Sequence, residues 1–244
     1  MMAEFVGKPT NHPTPTNPFS KDAAHETVAA ALEDCEQAII KVFIFPPNTL
    51  LTYTSLFGMG VGRRAVALSS GFRAMVKQCN SLCAIPMVRM QLDTAIRFYA
   101  GFFVADHQQF CRDVLKGKQI NKMKSREGHN LSDHYLVKRV AEKNPWMTNV
   151  YETCSGYIHF SHHHIKEALR IDESGKGMMA IGSNDFDREP KHFLESMQCM
   201  LHLNEIIHFA LSDWFGRMCS PDGVKVSASE LWGQNDQQEQ DQPC

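Results

Sequence analysis

The stretch YETCSGYIHFSHHH, residues 151–164, holds four of the chain's twelve histidines. At about 100° per residue, Tyr151, Ser155 and His159 stand four apart and form one helical stripe. Met147, Val150, Cys154, Tyr157 and Ile158 form an apolar face beside it. A second segment repeats the design with Arg89, Asp93 and Arg97, flanked by Val88, Leu92, Ala95, Ile96, Tyr99 and Phe103. If these two helices are neighbours in a core, a phenol, a hydroxyl, an imidazole, two guanidiniums and a carboxylate converge. Imidazole changes charge near neutral pH, so His159 is the acid/base candidate. Guanidinium presents a planar fork of donors, so Arg89 and Arg97 are the oxyanion candidates. The plainer alternative is structural. Arg89–Asp93–Arg97 would then be i,i+4 ion pairs of about 0.3–0.5 kcal/mol each, and the histidine stripe a buried network.

Other patterns carry less chemistry. His162, His163 and His164 are consecutive, so regular structure cannot aim all three at one metal. Glu205-x-x-His208 has the spacing of carboxylate-bridged di-iron bundles, but a second such motif and two further inward glutamates are required. His202 and Glu205 fall opposite the apolar face of their helix. HExxH is absent, so neither a metal nor a cofactor is expected. Gly58-Met-Gly-Val-Gly62 ahead of Arg63 and Arg64 suggests an anion cradle, although it reads better as a flexible connection between helices. The segment RDVLKGKQINKMKSR, 112–126, sets six Lys/Arg against Asp113 alone. It contains no aromatic residue for base stacking, which favours a solvated linker over a nucleic-acid patch. No GxSxG nucleophile motif occurs.

The elements that would carry these residues are mainly helical. Apolar residues at Val28, Leu32, Cys35, Ile39 and Val42 predict a helix over 22–45, stopped by Pro46-Pro47. Further helices are expected over 63–78, 81–108, 133–142 and 148–160, with 109–128 irregular. Apolar residues on both sides of ESGKG predict a β-hairpin, with strands near 164–171 and 177–182. A last helix over 189–218 lines Phe193, Met197, Met200, Leu203, Ile207, Leu211 and Trp214 on one face. The expected fold is all-α in the main: one helical bundle over 21–219, with a hairpin at about 164–182 before the last helix. Residues 1–20, rich in Pro, Thr and Asn, and the glutamine-rich 220–244 are expected to be disordered.

With 244 residues, 43% hydrophobic and 21% charged, the chain has the make-up of one soluble globular domain. A net charge of −2 argues against a surface that coats nucleic acid or membrane generally. No charged-then-apolar leader opens the sequence, and the apolar run 98–105 is too short to span a bilayer. A cytoplasmic location is the expectation, with no membrane partner. The eight cysteines form no CxxC and read as reduced core thiols.

The segment Arg89-Met-Gln-Leu-Asp-Thr-Ala-Ile-Arg97, followed by Tyr151-xxx-Ser-Gly-Tyr-Ile-His-Phe-Ser161, resembles a paired signature of bacterial helical-bundle proteins. These belong to the DUF5677 type and are related to the HEPN superfamily. The resemblance covers roughly 25–215. It carries Arg89, Asp93, Arg97, Tyr151, Ser155, His159 and Ser161 over as signature positions. It implies a link to RNA, with metal-independent ribonuclease activity in many HEPN proteins, to defence or stress systems, and to homodimers. The chain departs from the usual HEPN nuclease motif, because no Arg in the 151–164 segment precedes His159. Two readings therefore stand. The first is a binding or regulatory module with a polar pocket for RNA or a small anionic ligand. The alternative is an unconventional ribonuclease. In it His159 transfers protons, Arg89 or Arg97 stabilises the phosphorane, Tyr151 or Ser155 positions the phosphate, and Asp93 or His163 is the second acid/base.

Overall fold

A computed structural model of the chain describes residues 22–45, 51–158, 161–171, 174–179, 181–182, 184–185 and 190–217. The lead-in and tail expected at 1–20 and 220–244 lie outside these, as do Pro46, Pro47 and His159. The architecture is a helical bundle. Its helices are α1 (Ala23–Lys41), α2 (Tyr53–Lys77), α3 (Ser81–Phe103), α4 (His107–Leu115), α5 (Asp133–Ala141), α6 (Trp146–Ser155), α7 (His162–Ala168) and α8 (Pro190–Arg217). None is long and apolar enough to cross a membrane.

Local chemistry sets where the helices begin. The first amides of a helix lack intrahelical acceptors, so a side-chain oxygen placed there stabilises the helix by about 1 kcal/mol. Asp22 accepts from Ala24 N at 2.9 Å and Asn80 from Cys83 N at 3.0 Å. Asp106 accepts from Gln109 N at 2.9 Å and Ser132 from Tyr135 N at 3.3 Å. Thr52 and Ser55 cap α2 reciprocally.

The core follows the apolar stripes. Leu32 and Ile39 of α1, Phe72 of α2, Leu92, Ile96 and Phe98 of α3, and Met147 of α6 are fully buried. All seven apolar positions expected along α8 are buried as well. Trp214 is the hub at one end. The rings of Phe57, Phe98 and Phe102 lie 5.7, 5.4 and 5.1 Å from it, and its indole N–H donates to Thr54 O at 2.9 Å. Helices α1 and α8 run side by side in the same direction. Glu36 reaches Asn204 through Ser69, while Phe43, just past α1, stacks edge-on with Phe215 at 5.4 Å.

Four expectations are corrected. The glycine segment 58–62 is no loop, because α2 runs straight through it. A Cβ on Gly62 would collide with the Phe43 ring, and one on Gly58 would stand 2.8 Å from Phe215. These glycines let aromatic rings lie against the helix backbone. Second, α3 stops at Phe103, not near 108. Arg126 ends it there: its guanidinium donates to Phe102 O and Val104 O, and its amide to Phe103 O at 2.8 Å. The region expected to be irregular from 109 contains α4. Third, α6 ends at Ser155, not 160, with Gly156 as its C-cap. Fourth, the hairpin expected over 164–182 is replaced. His162–Ala168 is helix, and only Leu169–Ile171 pairs, antiparallel, with Gly177–Met179. Lys166 and Ala168 are good helix formers. Ser161 starts the helix: its amide donates to His164 Nδ1 at 3.1 Å, which is half of a capping box.

Candidate functional site

Helices α3 and α6 are packed neighbours, which brings the two polar stripes together. The Arg89 guanidinium carbon lies 4.2 Å from the centre of the Tyr151 ring, a cation–π stack. Arg89 Nε donates to Ser155 Oγ at 3.3 Å, and that hydroxyl donates in turn to Tyr151 O. All three side chains are half-buried. Ring, hydroxyl and helix backbone thus hold the guanidinium plane, while no carboxylate among the described residues pairs with it.

Arg97, two turns along α3, is engaged differently. Its Nε donates to Asp93 at 2.7 Å and an Nη donates to Asp133 of α5 at 2.8 Å. Burial works against its charge, but Asp93 and Asp133 outweigh that and hold the guanidinium above its ordinary value, with the Tyr151 phenol adding to the effect. Asp133 opens α5, where a carboxylate also meets the positive end of the helix dipole. It was not singled out in the sequence, because it lies 36 residues from Arg97 on another element.

Ser161 lies apart from this cluster. Ser161 donates through its hydroxyl to Gly156 O at 2.7 Å and helps join α6 to α7. His163 belongs to α7, and its side chain, like the whole of His159, lies outside what is described. The helical stripe that was to carry Tyr151, Ser155 and His159 stops at Ser155. Cys154, beside the cluster, is no nucleophile. Burial pushes its thiol up to about 11, the Cys199 thiol adds to this, and Arg89 opposes it.

No protein-family model, curated protein or solved structure matches this chain.

A second polar system escaped the sequence reading altogether. Gln91 Nε2 donates to Asn204 Oδ1 at 2.6 Å, and Asn204 Nδ2 to Ser69 Oγ at 2.8 Å. Ser69 Oγ donates to Glu36 at 2.6 Å, and Arg73 grips the same carboxylate at 2.9 and 2.8 Å. Gln91, Asn204, Ser69 and Glu36 are buried. Each comes from a different helix, α3, α8, α2 and α1, and no local motif marks them. Only the interruption of α8's apolar face by Asn204 hinted at it.

Among the described residues no group of three or more His, Cys, Asp or Glu gathers as a metal would require.

Proposed function

We propose that the chain is a HEPN-like helical module that binds an anionic group, either a small ligand or the phosphate of an RNA end, on the seam between α3 and α6. One observation carries this reading: Arg89 is held in place by Tyr151 and Ser155, yet pairs with no carboxylate among the described residues. A guanidinium fixed before its ligand arrives loses little freedom on binding, and its remaining Nη donors suit two oxygens of one phosphate or carboxylate. Arg97, its charge countered by both Asp93 and Asp133, orders the seam instead. The all-α architecture and the spacing of the two signatures support the HEPN-like part, from which a role in phage defence or stress would follow. The ribonuclease alternative has less support. It draws its proton transfer from His159, which lies outside the described residues, and Arg97 is already paired with two carboxylates.

The test is titration of the protein and of Arg89→Gln with inorganic phosphate and with a short 3′-phosphorylated RNA, in EDTA, read by calorimetry and gel. Binding by the wild type, weakened about tenfold or more in a variant of unchanged melting temperature, is expected, with the RNA left intact. Equal affinity in the variant would refute the site. RNA cleavage lost in His159→Ala would establish the ribonuclease instead.

A further inference from the structure

At the far end of α3, some four turns from Arg89, lies a cavity of about 180 Å³ lined by Phe102, Phe103, Arg126, Glu127, Tyr135 and Arg139. Its size is informative. A cavity of about 150 Å³ accepts a single benzene ring, whereas drug-sized ligands need roughly 300 Å³ or more. The cavity therefore suits one small ring system. Its walls are flat. Arg139 lies with its guanidinium carbon 5.3 Å from the centre of the Phe103 ring and 5.9 Å from that of Tyr135. His129 lies 5.4 Å from Tyr135, with the two planes only 30° apart. The plates are fixed from behind. Glu127 accepts from Arg139 at 3.0 and 3.3 Å and from the Tyr135 hydroxyl at 3.4 Å, and Arg126 is tied to the carbonyls that end α3. Glu127 keeps acceptor capacity beyond these bonds and is about half exposed, 47%.

Aromatic and guanidinium faces beside a carboxylate acceptor are what an unpaired nucleobase requires, since it stacks through its π-face and donates from its exocyclic amine. The basic segment supplies the rest. Lys116, Lys122 and Lys124 are exposed on the chain leading into this cavity, Lys118 is exposed but paired with Asp113 at 2.8 Å, and Lys124 bridges to Asn130 across the turn that holds Glu127. The sequence shows no aromatic residue within 112–126. The fold brings them there from α3 and α5.

We propose that this cavity holds one unpaired nucleobase of a single-stranded nucleic acid, with the lysines of 112–126 along the neighbouring phosphates. The site is separate from the α3–α6 seam and does not depend on Arg89. The test is fluorescence anisotropy with a mixed-sequence single-stranded RNA without terminal phosphate, and with the DNA of the same sequence. Aromatic stacking carries much of the affinity for an unpaired base, so Tyr135→Leu should weaken binding roughly tenfold. Glu127→Gln should weaken amine-bearing bases more than uridine. Lys122→Glu with Lys124→Glu should weaken all strands and flatten the salt dependence. Tighter binding of RNA than DNA, or the reverse, identifies the source of the base. If neither strand binds the wild type, or Tyr135→Leu and Glu127→Gln with unchanged melting temperatures bind as tightly, the proposal is overturned.

Discussion

Two arginines two turns apart on one helix meet opposite fates because of one residue on another. Asp133 completes the second carboxylate around Arg97 and turns it into a fixed strut, while Arg89 receives a ring and a hydroxyl. The i,i+4 spacing in the sequence was enough to place Arg89 beside Tyr151 and Ser155 once both helices formed. It could not choose between the arginines, because that choice is made by tertiary contact. The thiols follow the same logic. Burial foremost pushes Cys35, Cys79 and Cys154 from 9.0 to about 11, with Glu205, Asp185 and Cys199 respectively adding to it. Cys83 is on the surface. Iodoacetamide at pH 8, followed by peptide mass mapping, should therefore alkylate Cys83 well before the other three, which carry about a hundredth of the thiolate of an ordinary thiol. These thiols keep their protons when folded and release them more readily when unfolded. Their contribution is whole below pH 9, falls as pH rises, and is gone above about pH 11. Melting temperatures taken across that window should decline, and more shallowly in Cys154→Ala than in the wild type.

Helices in this chain are punctuated by packing as much as by propensity. Three glycines in five residues look like a loop, since each costs about 1 kcal/mol in a helix interior. Here Gly58 and Gly62 are covered by Phe215 and Phe43, while Gly60 has nothing near it. The two kinds should separate cleanly in urea denaturation. Gly60→Ala should stabilise by about 0.5–1 kcal/mol. Gly58→Ala should destabilise by about 1–3 kcal/mol, because Trp214 and Phe215 have to move. The same contest explains the stretch after α6. Isoleucines on either side of a glycine turn imitate a strand pattern, but Lys166, Ala168 and the Ser161 cap favour a helix, leaving three paired residues a side. The apolar stripe of α8 and the start of α3 were legible because they are local. The ends of α3 and α6 were not, since Arg126 and Gly156 act through contacts that spacing does not reveal.

Across the whole bundle, the directed chain of buried side chains from Gln91 through Asn204 and Ser69 to Glu36 joins four helices. Such a network is worth most as a unit, because losing one member strands its neighbours at about 1–3 kcal/mol each. Asn204→Leu should lose about 2–4 kcal/mol in urea denaturation. Ser69→Ala combined with it should lose clearly less than the sum of the two single changes, and strict additivity would show that the groups do not act together.

The pairing of α1 with α8 also has a consequence for how the protein is made. Ribosomes add about 5–20 residues per second, so α1 waits on the order of ten seconds or more for its partner to be synthesised. Until Asn204 arrives, Glu36 and Ser69 have no link across the bundle. Until Trp214 arrives, Phe57, Phe98 and Phe102 surround a gap. The nascent chain is thus an incomplete, sticky intermediate for most of its synthesis. Chaperone capture should persist until α8 has cleared the exit tunnel, and then end abruptly.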